Sequence, residues 1–134
     1  MRGKLILAGI GALIVALGLG FAWGASGRIT LQTSLEDARQ QLDLADARAQ
    51  ILDARISLYN NNFGDASRHF EEAKPGLQRV KNRYQEAGRS DAASSIDAAL
   101  RHVEEAQRLS GKLDQAANSK AGEAIEAIKV AAGR

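Results

Sequence analysis

Apolar residues follow two regimes along this chain. From Leu5 to Trp23 they run without interruption by a polar side chain, and no charge occurs between Leu5 and Ser26. Beyond Gly27 they recur every three or four positions, the period of a helix covered on one side. In the first periodic stretch Leu31, Leu35, Ala38, Leu42, Ala45, Ala49, Leu52, Ile56 and Tyr59 alternate spacings of four and three, a heptad seam. Beside it Leu44, Ala47, Ile51, Ala54 and Leu58 form a second stripe over the C-terminal half. The pattern predicts a helix over about 31–60, loosened from what precedes it by Gly24, Ser26 and Gly27 and opened by a Thr33–Glu36 capping box. One stripe in its first half and two in its second describe a stalk that enters a bundle.

Asn60-Asn61-Asn62 reads as a turn, because asparagine tolerates left-handed backbone and bonds its own chain. A second helix over 63–87 then carries Phe63, Ala66, Phe70, Ala73, Leu77, Val80, Tyr84 and Ala87 in one register. Pro75 removes a hydrogen bond inside it, but the apolar phase survives, which predicts one kinked helix rather than two. Gly88 ends it and Ser90 or Asp91 caps the next. Ala92, Ile96, Ala99, Val103, Ala106, Ser110, Leu113 and Ala117 continue the spacing over 91–117, where Gly111 either ends the helix early or only weakens it. Ala121, Ile125, Ile128 and Ala132 mark a last helix over 119–132. The expected fold is all-α: one N-terminal transmembrane helix followed by an antiparallel bundle of three to four helices.

The uninterrupted run divides the chain into a tip at 1–4, a transmembrane helix at 5–25 and a helical domain at 26–134. About 19 apolar residues rising 1.5 Å each cross most of a hydrocarbon core of about 30 Å. Ten of them are Leu, Ile, Val or Phe, which favour insertion by roughly 3 to 6 kcal/mol with no charge in opposition. A secretory signal has a shorter apolar stretch before a small-x-small site, and Gly20-Phe21-Ala22 or Ala22-Trp23-Gly24 supplies such a site, which keeps cleavage open as an alternative. Arg2 and Lys4 on one side against Arg28 on the other hold the tip inside and send the domain out, with Trp23 as interfacial anchor. The expected location is a bacterial inner membrane, with the domain in the periplasm. Ala8, Ala12, Ala16, Gly20 and Gly24 recur every fourth position and make a smooth ridge that a neighbouring helix can approach closely.

Charge alters the picture little. Removing Arg2, Lys4 and Arg28 from the 18 basic residues leaves 15 against 16 acidic, so the domain has no broad footprint for nucleic acid. Lys74, Arg79, Lys81, Arg83 and Arg89 form a local basic run, either a solvated face or a contact for anionic lipid or an acidic partner. The absence of cysteine excludes disulfides, thiolate metal sites and thiol catalysis. His69 and His102 lie on different predicted helices outside any metal-binding spacing, and Glu71-Glu72 and Glu104-Glu105 point about 100° apart, poor geometry for shared acid–base work. With no phosphate-cradling loop and no serine elbow, the reading is a protein without catalysis, cofactor or metal.

Ala66, Phe70 and Ala73, with Phe63 before them, resemble the core of the second helix of a tetratricopeptide repeat. The likeness covers roughly residues 47–75 and implies helix-pair packing and protein binding. It departs from the repeat in the first helix, which lacks the Trp, Leu-Gly and Tyr positions, and in Pro75, which comes early.

These features lead to one main expectation: a structural or accessory subunit that braces a larger electron-transfer, photosynthetic or transport complex in the membrane. Its partners are other membrane subunits, with a hetero-complex favoured over a second copy, and lipid. The alternatives are a periplasmic or secreted tetratricopeptide-like binding module released by cleavage, and a sensor that signals through a partner.

Overall fold

The structure, a computed structural model, describes residues 2–133, and their side chains except those of residues 2–12, 18, 22, 23, 25, 26, 28 and 29. The described residues form helices and no strand: α1 (Arg2–Tyr59), α2 (Phe63–Glu86), α3 (Ser90–Ser110) and α4 (Ala116–Ala132). They divide into two compact units, Met1–Ala38 and Arg39–Arg134.

Helix α1 corrects the expected start near residue 31. It passes through Gly24, Ser26 and Gly27 without a break, because glycine weakens a helix by only about 1 kcal/mol. Thr33 therefore lies inside a helix and opens no capping box; nearby, the Ser34 hydroxyl donates to the Thr30 carbonyl at 3.0 Å. In the first unit Leu13, Ile14, Val15, Leu17, Leu19 and Phe21 are all exposed. Among the described residues no helix is long and apolar enough to cross a membrane. The transmembrane expectation for 5–25 falls in large part outside the described side chains, at 5–12, 18, 22, 23 and 25.

The second unit is an antiparallel bundle. Asp43 faces Arg79 and Arg83, Gln50 faces His69, and Ser57 faces Asp65, so α2 runs back along α1. Lys81 with Asp97 and Gln107 with Glu71 show the same reversal between α2 and α3. His102 reaches Glu123 from α3 to α4, and Arg55 donates to Asn118 at 2.7 Å, which returns α4 to α1.

The stripe that α1 buries is the second one. Leu44, Ala47, Ile51, Ala54 and Leu58 join the core, whereas the strict heptad seam stays outside: Leu42, Leu52, Ile56 and Tyr59 are 60%, 41%, 58% and 74% exposed. At 100° per residue the two sets lie roughly 150° apart, so one bundle cannot cover both. Of the two stripes in the second half of α1, the bundle therefore covers one. From α2 the predicted Ala66, Phe70, Ala73, Leu77, Val80 and Tyr84 are buried, and Gly76 with them. Alanine supplies half of the buried core, so the helices approach closely.

The turns follow from local chemistry. Asn61 adopts φ 57°, and the Asn62 side chain accepts the Asp65 backbone N–H at 3.2 Å to cap α2. Pro75 sits inside α2, which remains one helix as expected. Gly88 closes that region at φ 70°. Helix α3, expected to reach residue 117, ends at Ser110, and Leu113 stands in the turn at φ 57°, 70% exposed. Ala117 is buried from α4 rather than from α3.

Candidate interaction surface

The bundle's polar groups bind its helices to one another. Asp43 is the clearest tie: Arg79 and Arg83, one turn apart on α2, donate to its two oxygens at 2.6 and 2.7 Å. The Arg79 bond chiefly, with Arg83 beside it, holds the Asp43 carboxyl below the usual carboxylate range against the opposing effect of burial. Asp97, bonded by Lys81 and Arg101, is lowered in the same way. At the opposite end the Gln115 amide donates to the Leu58 carbonyl at 3.2 Å and to the Asn61 side chain at 2.9 Å. The Leu58 oxygen belongs to the last turn of α1, where it also accepts the Asn61 backbone N–H at 3.0 Å, and Gln115, just before α4, adds a second donor.

These ties account for the basic run. Arg79 and Arg83 face α1, Lys81 faces α3 through Asp97, and Lys74 pairs with Glu71 on its own helix. The Arg89 guanidinium lies over the Tyr84 ring, 4.6 Å from its centroid. Arg79 and Arg83 thus share one face and one partner, whereas Lys74, Lys81 and Arg89 each contact a different group.

Of the small-residue ridge, Ala8 and Ala12 lie outside the described side chains, as does Trp23. Ala16, Gly20 and Gly24 are exposed, and a Cβ built on Gly20 or Gly24 meets nothing within 4 Å.

The histidines serve packing edges. His69 Nδ1 lies 2.7 Å from the Gln50 amide oxygen, a bond between α1 and α2. His102 Nδ1 lies 3.1 Å from Glu123, whose carboxyl Lys120 chiefly holds below its usual value. Among the described residues no three His, Cys, Asp or Glu side chains are placed to hold a metal ion. An open groove between α1 and α2 is lined by Asp46, Gln50, Glu72, Pro75 and Arg79, a charged rim over the alanines of the helix crossing.

The largest unassigned feature is the outer face of α1 in the second unit. Leu42, Ala45, Ala49, Leu52, Ile56 and Tyr59 present apolar surface with no chain of the bundle on it. Arg48 and Asp53 flank it, both exposed, and neither makes a hydrogen bond or ion pair among the described residues. The spacing of these positions marks them as a seam, and the bundle leaves that seam uncovered. The missing signal lay on α2, where Arg79, Arg83 and His69 are placed to meet Asp43 and Gln50 beside the other stripe.

Comparison with protein-family models, with curated proteins and with solved structures finds no match to this chain.

Proposed function

We propose that the chain is a non-catalytic, single-span membrane protein whose helical bundle acts as a structural or accessory subunit of a larger membrane assembly. The observation that carries this reading is the apolar surface of the first unit. Leu13, Ile14, Val15, Leu17, Leu19 and Phe21 spread around most of α1 with Ala16 and Gly20 on the remaining sector, and all are exposed. A helix apolar all round needs an apolar surrounding on all sides, which a bilayer supplies. The preceding run from Leu5 extends it to spanning length, and Arg2 and Lys4 orient it with the bundle outside the cytoplasm. Gly20 and Gly24 give a neighbouring membrane helix a place to approach. The assembly would be of the electron-transfer, photosynthetic or transport kind, and the bundle, tied by salt bridges and packed on alanine, would serve as its brace.

Fractionation tests the span. The native chain should stay in the membrane pellet through carbonate and high-salt washes, with its N-terminus intact by mass. A soluble product beginning near residue 23 or 25 would overturn the proposal in favour of a released, tetratricopeptide-like binding module. Replacing Gly20 and Gly24 by leucine should leave insertion unchanged and reduce the recovery of companion subunits in mild detergent.

A further inference from the structure

We propose that a second copy of this chain docks on the outer face of α1, forming a parallel, in-register two-stranded coiled coil over residues 42–59. The spacing of Leu42, Ala45, Ala49, Leu52, Ile56 and Tyr59 is that of a heptad, with Leu42, Ala49 and Ile56 at the first core position and Ala45, Leu52 and Tyr59 at the second. The bundle uses the opposite side of the helix, so its own fold neither needs this face nor obstructs it. A sustained heptad pattern on a face the monomer leaves bare fits another helix with the same repeat, and this chain carries one.

Charge selects the direction. In a parallel pair the residue before each first core position faces the residue after the second core position of the next heptad on the other strand. Here that brings Arg48 of one copy to Asp53 of the other, twice by symmetry, and both are free of intramolecular partners among the described residues. An antiparallel pair centred on Ala45 and Ala49 instead opposes Arg48 to Arg48 and Asp46 to Asp46. The corresponding arginine one heptad on, Arg55, is already committed to Asn118. Electrostatic selection therefore rests on the Arg48–Asp53 pair.

Over residues 42–59 two copies bring together eight large apolar side chains, Leu42, Leu52, Ile56 and Tyr59 from each. At on the order of 60–100 Å² each, the area that corresponds to their transfer energy, these supply roughly 500–800 Å² before alanine and rim contacts are added, toward the roughly 1,000 Å² expected of a specific interface. Ala45 and Ala49 let the backbones come close between the larger residues. The inference stands apart from the membrane reading, which adds only that two anchored copies must run the same way.

The chain's lack of cysteine makes the test direct. In the full-length protein in mild detergent, Leu52→Cys places a thiol where a parallel pair brings it opposite its own copy, within disulfide reach. Glu104→Cys, exposed on α3, is the control. Mild oxidation should convert most of the Leu52→Cys chain to a covalent dimer and less than a tenth of the Glu104→Cys chain. Adding Asp53→Arg should reduce the first yield at least five-fold, and further adding Arg48→Asp should restore it. Equal yields at positions 52 and 104, or cross-linking only between Ala45→Cys and Ala49→Cys in mixed chains, would overturn the proposal: the first means another occupant or none, the second an antiparallel pair. Membrane retention is read separately by carbonate washing, so a failure here is distinguishable from a failure of the anchor.

Discussion

A Cβ added to Gly76 of α2 would stand 3.2 Å from the backbone carbonyl oxygen of Asp43 on α1. The same Cβ would meet the Ala47 methyl at 3.7 Å. Gly76 thus sets the separation of the first two helices at the level where Arg79 and Arg83 hold Asp43. Gly76→Val should force the crossing apart and destabilise the bundle by about 1–3 kcal/mol. Gly122, inside α4, has open space beyond its Cα, and Gly122→Ala should stabilise by up to about 1 kcal/mol through helix propensity. Thermal melts of the two variants should move in opposite directions.

Ile51 and Leu52 are neighbours on opposite sides of the fold's boundary, the first fully buried and the second 41% exposed. Ile51→Ala should destabilise by about 2–5 kcal/mol. Leu52→Ala, measured at concentrations where the chain is monomeric, should change stability by less than about 0.5 kcal/mol. Urea midpoints decide between them, and a reversed order would restore the heptad seam to the interior.

Asp43 gives the bundle a dependence on acid. Its folded-state carboxyl lies below the ordinary value, so the Arg79 and Arg83 ties stabilise fully above about pH 4 and are lost as pH falls through the lowered folded-state value. Asp43→Asn should lower the melting temperature at neutral pH by several degrees, from about 1 kcal/mol lost. Near pH 2 the variant and the parent should melt alike. A constant difference across that range would assign the effect to packing instead.

Leu113 holds left-handed backbone with its side chain in solvent. A branched residue there is strained by roughly 1–2 kcal/mol relative to glycine. Leu113→Gly should raise the melting temperature by a few degrees, since relief of strain outweighs the added freedom of the unfolded chain. No change would mean that the turn relaxes elsewhere.

Much of the bundle was readable because helix period and turn chemistry agreed. Phe70, Leu77, Val80 and Tyr84 share one phase on α2, and Asn60-Asn61-Asn62 could only be a turn. The covered face of α1 was not readable in the same way, because both of its stripes repeat at threes and fours. Hydrophobic spacing shows that a face is suited to burial and leaves open whose burial it is. The answer came from polar groups on another helix, which pair only when the stripe containing Ala47 and Ile51 faces inward. The end of α3 was hidden for a different reason: Leu113 and Ala117 fit its phase in sequence, and leucine is an unlikely residue to reverse a chain. The basic run divides because residues four apart, Arg79 and Arg83, return to one face of a helix, whereas Lys81 between them points nearly the opposite way.

An interior half made of methyl groups also limits how this protein can change over generations. Where one small side chain touches another across a helix crossing, any larger replacement must move whole helices, and several neighbours would have to change with it. The outer surface of α1 carries no such linkage to the bundle's interior, which substitutions there leave undisturbed. Variation between lineages should therefore be greater on the outer surface than in an interior held nearly fixed.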